Sequence, residues 1–234
     1  MTPLVLLPGM MCDARLYTPQ IAAFSGARPV HSAPIGAFDT MEALAVDVLE
    51  HAPPRFALAG LSMGGIVAME VLRQAPDRVA GLALLDTNPK AETDEVRARR
   101  GPQMEKVRDG KLALVMRDEM KPNYLTDGPR RGEILDLCME MALSLGKEVF
   151  LKQSLALARR PDQQEVLRAY DGPALVLCGR DDTLCPAARH TLMHDLIAGS
   201  TLRVIDDAGH LPTLEQPDKT NAALAAWLEQ TDGR

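Results

Sequence analysis

Short apolar runs alternate along most of the chain with longer stretches in which apolar residues recur every three or four positions. The short runs predict buried strands, and the longer stretches predict amphipathic helices. Strands are predicted near residues 3–7, 29–33, 55–60, 80–86, 173–178 and 201–205, and helices near 18–25, 39–51, 63–75, 187–198 and 217–230. Such alternation is typical of a doubly wound α/β fold, so we expect a mostly parallel sheet of about six strands with helices on both faces.

Residues 88–170 interrupt this alternation because they contain no convincing strand. Glycine–proline and lysine–proline pairs at 101–102, 121–122 and 128–129, together with Pro161, should break the region into several short helices. Its apolar residues recur with a helical period, Ile134, Leu137, Cys138, Met141 and Leu145 on one face and Leu151, Leu155 and Ala158 on another. The pattern predicts a helical insertion in an α/β core.

Prolines flank the predicted strand at 29–33, with Pro29 at its start and Pro34 directly after it. Proline has no backbone N–H to donate to a neighbouring strand, which favours a position at the edge of the sheet. An exposed edge can pair with a second copy or be covered by a chain terminus. We therefore expect a monomer or a weak dimer.

The turn after the third predicted strand has the sequence Gly-Leu-Ser-Met-Gly-Gly at residues 60–65. A serine between glycines on a strand-to-helix turn is the pattern of a nucleophile elbow, in which a strained turn exposes the hydroxyl. Gly60 and Gly64 lack the Cβ atoms that would collide where strand and helix nearly touch. An ordinary glycine-rich turn has the same local sequence, so Ser62 needs partners before it can be interpreted as a nucleophile.

Two later strands are followed by residues that can serve as such partners. Asp181 and Asp182 lie in residues 179–186, directly after the predicted strand at 173–178, and His210 ends the loop after the last strand. The carboxyl ends of parallel strands meet at one edge of a sheet, so these side chains are expected near Ser62. The chain order of serine, acid and histidine differs from that of chymotrypsin and subtilisin.

With these motifs, nearly the whole chain resembles the α/β-hydrolase superfamily. The matching segments are residues 6–10, 60–65, 77–79, 84–86, 179–186 and 209–217. The resemblance implies Ser62 as the nucleophile, His210 as the base and Asp182 as the acid, because the family's acid stands three residues after the glycine and four before the proline. Asp181 is the neighbouring alternative, and Asp86, which ends an earlier strand, is the reserve candidate.

The same resemblance implies an oxyanion hole and a domain division. The backbone N–H groups of Met10 and Met63 would stabilise the oxyanion, although the family more often has His-Gly where this chain has Pro8 and Gly9. The family's usual N-terminal hairpin is expected to be absent. Residues 1–87 and 171–234 would form the hydrolase core, and residues 88–170 would form a helical cap over Ser62.

These residues lead us to expect a serine hydrolase that cleaves carboxylic esters through an acyl-enzyme on Ser62. Met10, Met11 and Met63, with an aromatic content of 3%, favour an apolar, adaptable pocket for a small or aliphatic acyl group. Size and cap resemble small carboxylesterases, including those that cleave methyl esters of acyl-carrier-protein substrates. Thioesterases, lactonases, C–C bond hydrolases and other acyl-transfer enzymes use the same triad, and a ligand-binding receptor of this fold is the non-enzyme alternative.

Charge and hydropathy limit the classes of partner that this protein is expected to bind. The 234 residues carry a formal net charge of -6, so a nucleic-acid partner is not expected. The arginines of residues 97–100 are balanced by Glu92, Asp94 and Glu95, which predicts a solvated helix face. No apolar stretch approaches the roughly 20 residues that span a bilayer, and the N-terminus has the pattern of a first strand and not of a signal peptide. We expect a cytoplasmic protein that binds a small-molecule acyl substrate and no membrane.

No metal and no organic cofactor are expected. His190 and His194 stand four residues apart on a predicted helix, a spacing that can bind metal, but no third ligand is nearby. Two surface histidines are therefore the favoured interpretation. The four cysteines form no Cys-x-x-Cys pair and are expected to be free thiols.

Overall fold

Six parallel strands form the centre of the protein, in the order β2-β1-β3-β4-β5-β6 across the sheet. The structure, a computed structural model, describes residues 1–233. The strands are β1 (Leu4–Leu7), β2 (Val30–Ser32), β3 (Phe56–Leu61), β4 (Val79–Leu85), β5 (Ala174–Gly179) and β6 (Thr201–Ile205). Every strand predicted from the sequence is present, and the predicted doubly wound parallel sheet is confirmed.

The helices lie on both faces of the sheet and in the segment between β4 and β5. In residues 1–233 they are α1 (Thr18–Phe24), α2 (Met41–His51), α3 (Met63–Gln74), α4 (Asp94–Arg108), α5 (Leu112–Val115), α6 (Arg131–Ala158), α7 (Gln164–Arg168), α8 (Ala187–Leu196), α9 (Pro212–Glu215) and α10 (Pro217–Asp232). Tight 3-10 turns cover Ala14–Tyr17, Pro76–Arg78 and Lys121–Asn123, and a π-helical turn covers Met116–Met120. The five predicted helices of the alternating regions are all present, with ends shifted by up to two residues.

The alternation of side chains along each strand builds two apolar layers. Val5 and Leu7 of β1 point into the layer covered by α2, α3 and α8. Leu4 and Leu6 point into the opposite layer, where Trp227 of α10 packs. Burying one large apolar side chain stabilises the fold by about 1.5–3 kcal/mol, so both faces of the sheet need a covering of helices.

Strand β2 lies at one edge of the sheet, as the flanking prolines predict. It has three residues, all half-buried, and it pairs with β1 alone. Strand β6 forms the other edge. A very short edge strand presents few unpaired backbone groups to another chain.

The segment between β4 and β5 is helical, with no strand in its described residues, as predicted. The expectation that it consists of several short helices is wrong for α4, which has 15 residues, and for α6, which has 28. Pro102 lies inside α4, where it removes one backbone hydrogen bond without ending the helix. The helix continues because it packs against α6, where Val107 and Phe150 share an apolar cluster.

Helix α6 bends at Gly146, whose φ is 80°, and the bend changes which face of the helix is buried. Before the bend the predicted face is largely correct, with Ile134, Cys138 and Met141 buried. After the bend the prediction is wrong, because Leu151, Leu155 and Ala158 are only partly buried.

Gln153 explains the altered face beyond the bend. Its side chain is buried, and its Nε2 donates to the carbonyl oxygen of Ile35 at 3.0 Å. Its Oε1 accepts from the backbone N–H of Met11 at 2.9 Å. Because both ends of the amide are satisfied, a polar residue can occupy a core position on α6 that hydrophobic periodicity does not reveal.

Backbone segments approach each other very closely beneath the turn that joins β3 to α3. A Cβ atom on Gly64 would lie 2.1 Å from the carbonyl oxygen of Leu7 in β1, and one on Gly60 would lie 2.3 Å from the carbonyl oxygen of Gly64. Real Cβ atoms essentially never come within 3.0 Å of such neighbours. Both positions therefore require glycine, and α3 begins directly against β1.

We expect Gly64→Ala to lower the free energy of unfolding by more than about 3 kcal/mol, because backbone on both sides must move. Gly26→Ala is the matched control, since a Cβ atom there would meet nothing within 4 Å. That change should alter stability by no more than about 1 kcal/mol. Urea unfolding followed by circular dichroism measures both variants, and equal stability of the two would contradict the close approach of α3 to β1.

Candidate active site

Ser62 lies between the end of β3 and the start of α3, with backbone angles φ 55° and ψ -116°. A positive φ is strained for a residue with a side chain and costs about 1–3 kcal/mol. Hydrogen bonds hold this conformation. The Ser62 N–H donates to the carbonyl oxygen of Leu85 at 2.9 Å, and the Ser62 carbonyl oxygen accepts from Thr87 Oγ1 at 2.7 Å. The structure therefore has the strained elbow that the sequence predicts.

The loop after β6 brings His210 to the serine. His210 Nε2 lies 2.9 Å from Ser62 Oγ, and His210 Nδ1 lies 2.8 Å from Asp182 Oδ2. With the imidazole proton on Nδ1, the ring donates to the carboxylate and accepts from the serine hydroxyl. Both His210 and Asp182 are buried, so this chain of hydrogen bonds is shielded from competing water.

Asp182, and not Asp181, contacts the histidine. The second oxygen of Asp182, Oδ1, accepts from the N–H groups of Leu184 and Cys185 at 2.8 and 3.0 Å. Burial is the largest influence on the pKa of Asp182 and raises it, but His210 and the two N–H donors together hold this pKa below its ordinary value. The Asp181 side chain is exposed, and its N–H donates to the carbonyl oxygen of Ala208.

The reserve candidate Asp86 has a different environment. It is buried at the end of β4, where its Oδ1 accepts from the N–H of Gly179 at 2.8 Å. Within residues 1–233 no hydrogen bond joins it to His210. Burial, followed by the nearby charge of Asp182, raises the pKa of Asp86 well above its ordinary value. Asp86 thus connects the end of β4 to the end of β5, close to Asp182. We call the hydrogen-bonded chain from Ser62 through His210 to Asp182 the relay.

Glu215 braces the histidine loop, a role that sequence reasoning missed. Its carboxylate accepts from the N–H groups on either side of His210, those of Gly209 and Leu211, at 3.0 and 3.1 Å. It also accepts from the N–H of Thr126 at 3.0 Å. A glutamate five residues after the histidine was part of the matched motif, so its spacing was the signal that could have identified this role.

The loop after β1 lies beside Ser62. Met10 and Met63 line the same cavity as Ser62 and His210. Within residues 1–233, the N–H groups of Met10 and Met63 donate to no protein acceptor. Met11 does not line this cavity, contrary to the expectation that three methionines surround the nucleophile. It is buried because its φ of 56° turns it into the apolar cluster beneath the insertion.

The cavity has a volume of about 400 Å³ and two kinds of wall. Apolar side chains lie near Ser62, whereas charged side chains of α4 and neighbouring loops lie on another side. Arg100 and Glu92 belong to this charged wall and are largely buried, so the expectation of a wholly solvated face on α4 is wrong for them. It holds for Arg97 and Arg99, whose ion pairs are exposed. The main lining residues are Met10, Leu61, Ser62, Met63, Ile66, Glu92, Arg100, Met120, Tyr124, Leu157, Arg160, Leu184, Arg189 and His210.

A model of the "Alpha/beta hydrolase family" matches residues 4–223 of the chain. The chain belongs to this family. The hydrolase is 28% identical over 228 residues to a pimeloyl-[acyl-carrier protein] methyl ester esterase of Klebsiella pneumoniae, covering 92% of this chain and 88% of that protein. It is 26% identical over 245 residues to a 2-succinyl-6-hydroxy-2,4-cyclohexadiene-1-carboxylate synthase of Salmonella newport, covering 96% and 93%.

A solved structure extends the likeness to three dimensions. The malate-bound thermophilic esterase of Thermogutta terrifontis matches the hydrolase with a TM-score of 0.90 and 31% sequence identity, over 99% of this chain and 90% of that chain. The superfamily predicted from the sequence is therefore confirmed. None of the helices in residues 1–233 combines the length and apolar composition needed to cross a membrane.

The two histidines of α8 are not both at the surface of the hydrolase. His190 is fully buried, contrary to the sequence-based expectation, and its Nε2 accepts from the N–H of Thr87 at 3.1 Å. Burial lowers the pKa of His190 to about 4, so the ring is neutral near pH 7. His194 is partly buried and bonds to Ser200 Oγ. His190 supports the turn after β4 that holds Ser62.

One group of side chains at the site presents atoms close enough to share a metal ion, namely Asp182, Cys185 and His210. Burial raises the pKa of the Cys185 thiol to about 12, which disfavours the thiolate that binds metal. Asp182 and His210 already bond to each other. These three side chains therefore fit a proton relay better than a metal centre. All four cysteines are free thiols.

We expect Asp182→Asn to lower kcat for ester hydrolysis by about 10⁴-fold, because an amide cannot hold the imidazole proton on Nδ1 or stabilise the imidazolium. Asp181→Asn is the matched control, since that side chain is exposed, and it should change kcat less than threefold. Steady-state kinetics and circular dichroism on both variants test this. A larger loss of kcat in Asp181→Asn than in Asp182→Asn would indicate that Asp181 is the acid of the relay.

Asp86→Asn should leave kcat within about fivefold of the native value, because an uncharged amide keeps the oxygen that accepts from Gly179. Asp86→Leu removes this acceptor, and leaving the buried N–H unpaired should cost about 1–3 kcal/mol of stability. Thermal unfolding and kinetics measure the two effects separately. If Asp86→Asn lost as much activity as Asp182→Asn, Asp86 would be the acid of the relay.

Proposed function

We propose that this protein is a serine hydrolase that cleaves carboxylic esters of small or aliphatic acyl groups through an acyl-enzyme on Ser62. The observation that carries the proposal is the hydrogen-bonded chain from Ser62 Oγ through His210 to Asp182 at the wall of a cavity. The esterases among its relatives support ester hydrolysis. A ligand receptor would not need this relay, so the intact relay disfavours that alternative.

The first half of the proposed reaction forms the acyl-enzyme. Ser62 Oγ attacks the acyl carbon while His210 Nε2 takes the hydroxyl proton, and Asp182 stabilises the resulting imidazolium. The N–H groups of Met10 and Met63 donate to the oxyanion of the tetrahedral intermediate, and each such donor contributes about 3–4 kcal/mol. The intermediate collapses as the bond to the alcohol oxygen breaks and His210 returns the proton to the alcohol.

The second half releases the acid. His210 takes a proton from a water molecule, whose oxygen attacks the acyl carbon of the ester on Ser62. The new tetrahedral intermediate collapses, the bond between the acyl carbon and Ser62 Oγ breaks, and His210 returns the proton to the serine. The chemistry needs no metal or organic cofactor.

We also propose that residues 88–170 form a cap on a hydrolase core of residues 1–87 and 171–234. Glu92, Tyr124 and Leu157 of the inserted segment line the cavity together with Ser62 of the core. The carbonyl oxygen of Tyr124 accepts from the N–H of His210 at 2.7 Å, so the cap also contacts the histidine loop directly. The cap thereby shapes the space that an acyl group must enter.

The size of the cavity limits the substrate. A volume of about 400 Å³ is at the small end of ligand pockets, which supports short acyl groups over long ones. The methyl ester esterase of Klebsiella pneumoniae supports a small alcohol as the leaving group. Enzymes that cleave thioesters, lactones or C–C bonds use the same relay, so a test with these substrates must distinguish them from esters.

A fluorophosphonate probe should label the native protein covalently and leave Ser62→Ala unlabelled. Ser25→Ala, at an exposed serine, is the matched control and should label fully. Turnover of p-nitrophenyl esters should be highest for short acyl chains, with Ser62→Ala as the blank and the corresponding thioesters run in parallel. Labelling that persists in Ser62→Ala would exclude Ser62 as the nucleophile, and stoichiometric binding without turnover would indicate a receptor.

A further inference from the structure

One wall of the cavity carries more positive charge than the protein neutralises. Four arginines line the cavity, and within residues 1–233 Glu92 is the one carboxylate among its lining residues. One of these arginines, Arg99, forms an exposed ion pair with Glu95, which lies outside the lining. The other three, Arg100, Arg160 and Arg189, therefore face one carboxylate, which leaves an excess of two positive charges. The sign of this excess charge is opposite to that of the formal net charge of the whole chain, which is -6. The wall is thus a local feature and not part of a general basic surface.

Glu92 is shared between two of the arginines. Its Oε2 accepts from Arg100 Nε at 2.6 Å, and its Oε1 lies 3.0 Å from a terminal nitrogen of Arg160. Side-chain exposures of 3% for Glu92, 9% for Arg160 and 14% for Arg100 show that this group is largely buried. Arg160 Nε also donates to the carbonyl oxygen of Lys90 at 3.0 Å, which fixes its orientation.

Arg189 has no carboxylate partner within residues 1–233. It donates from one terminal nitrogen to the carbonyl oxygen of Leu184 at 2.9 Å, and the same nitrogen lies 3.8 Å from Cys185 Sγ. Leu184 belongs to the loop that also holds Asp182, so Arg189 is anchored close to the relay. These contacts use one side of the guanidinium fork and leave the charge itself uncompensated.

The excess charge has an energetic cost in the unliganded protein. Burial lowers the pKa of Arg160, and the positive charges of Arg100 and Arg189 oppose the favourable effect of Glu92. A charge held in a poorly solvated site is stabilised by an opposite charge with good hydrogen-bond geometry. The planar guanidinium fork matches the two oxygens of a carboxylate.

We propose that the cavity binds esters that carry a free carboxylate, namely half-esters of dicarboxylic acids, with the carboxylate on the wall of Arg189, Arg100 and Arg160 and the ester carbonyl at Ser62. The proposal rests on the proposed esterase function and specifies its substrate class. Cleavage of such a half-ester yields a dicarboxylate and an alcohol. Apolar residues near Ser62 would contact the methylene chain between the two ends of the acid.

Two substrates of equal size test the charge requirement. Monomethyl adipate carries the carboxylate, and the methyl ester of adipic acid monoamide replaces it with a neutral amide of the same shape. We expect kcat/KM for monomethyl adipate to exceed that for the amide at least 20-fold. Arg189→Gln should reduce this ratio at least tenfold, mainly through KM, because it removes a charge without leaving a carboxylate unpaired.

Arg108→Gln is the matched control. Arg108 lies on α4 outside the cavity lining, and it forms an exposed ion pair with Glu105. That variant should keep the native preference for the charged substrate, and thermal unfolding should show all variants folded. A ratio near one in the native protein, or equal losses for both substrates in Arg189→Gln, would overturn the proposal.

A binding measurement separates this proposal from the esterase function. By titration calorimetry, Ser62→Ala should bind adipate at least tenfold more tightly than it binds adipamide, and adding Arg189→Gln should remove this difference. Charge-selective binding without any ester turnover would support the anion site and overturn the esterase function. Equal binding of adipate and adipamide would overturn the anion site even if neutral esters are hydrolysed.

Discussion

The common direction of the six strands determines where the polar groups of the site lie. Met10, Ser62, Asp86, Asp182 and His210 follow five different strands, and all of those strands end at the same edge of the sheet. The hydrogen bonds between neighbouring strands fix the position at which each of these loops starts. Short loops then have little freedom, and contacts of 2.8 and 2.9 Å across the relay follow from the rigidity of the sheet.

The parts of the candidate site that depend on local spacing could be predicted from the sequence. Ser62, Asp182 and His210 each follow a strand in a short motif, so a few neighbouring residues reveal them. Nothing in the sequence pattern indicated the role of Gln153, and His190 was wrongly expected at the surface, because their hydrogen-bond partners, Met11 and Thr87, are more than 100 residues away. No periodicity along a helix can show that a polar residue will meet a distant backbone group in the core.

The charged wall of the cavity escaped prediction for a related reason. Residues near Arg100 have the composition of an exposed helix, and the two neighbouring ion pairs on α4, those of Arg97 and Arg99, are indeed at the surface. Arg100 is instead largely buried where it shares the carboxylate of Glu92 with Arg160, which lies 60 residues later in the chain. Asp182 and Glu215 accept hydrogen bonds from backbone N–H groups, whereas the charged wall of the cavity keeps an excess of positive charge.

The hydrogen bonds of Gln153 couple the inserted helices to the loop after β1. One side chain on α6 holds both Met11 and Ile35, and the N–H of Met10 precedes Met11 by a single residue. Any movement that lifts this part of α6 from the sheet must break those bonds and release the Met10 loop. Access to the cavity and the position of the Met10 N–H, the proposed oxyanion donor, are therefore linked. An insertion transplanted from another protein would need its own acceptor at this point.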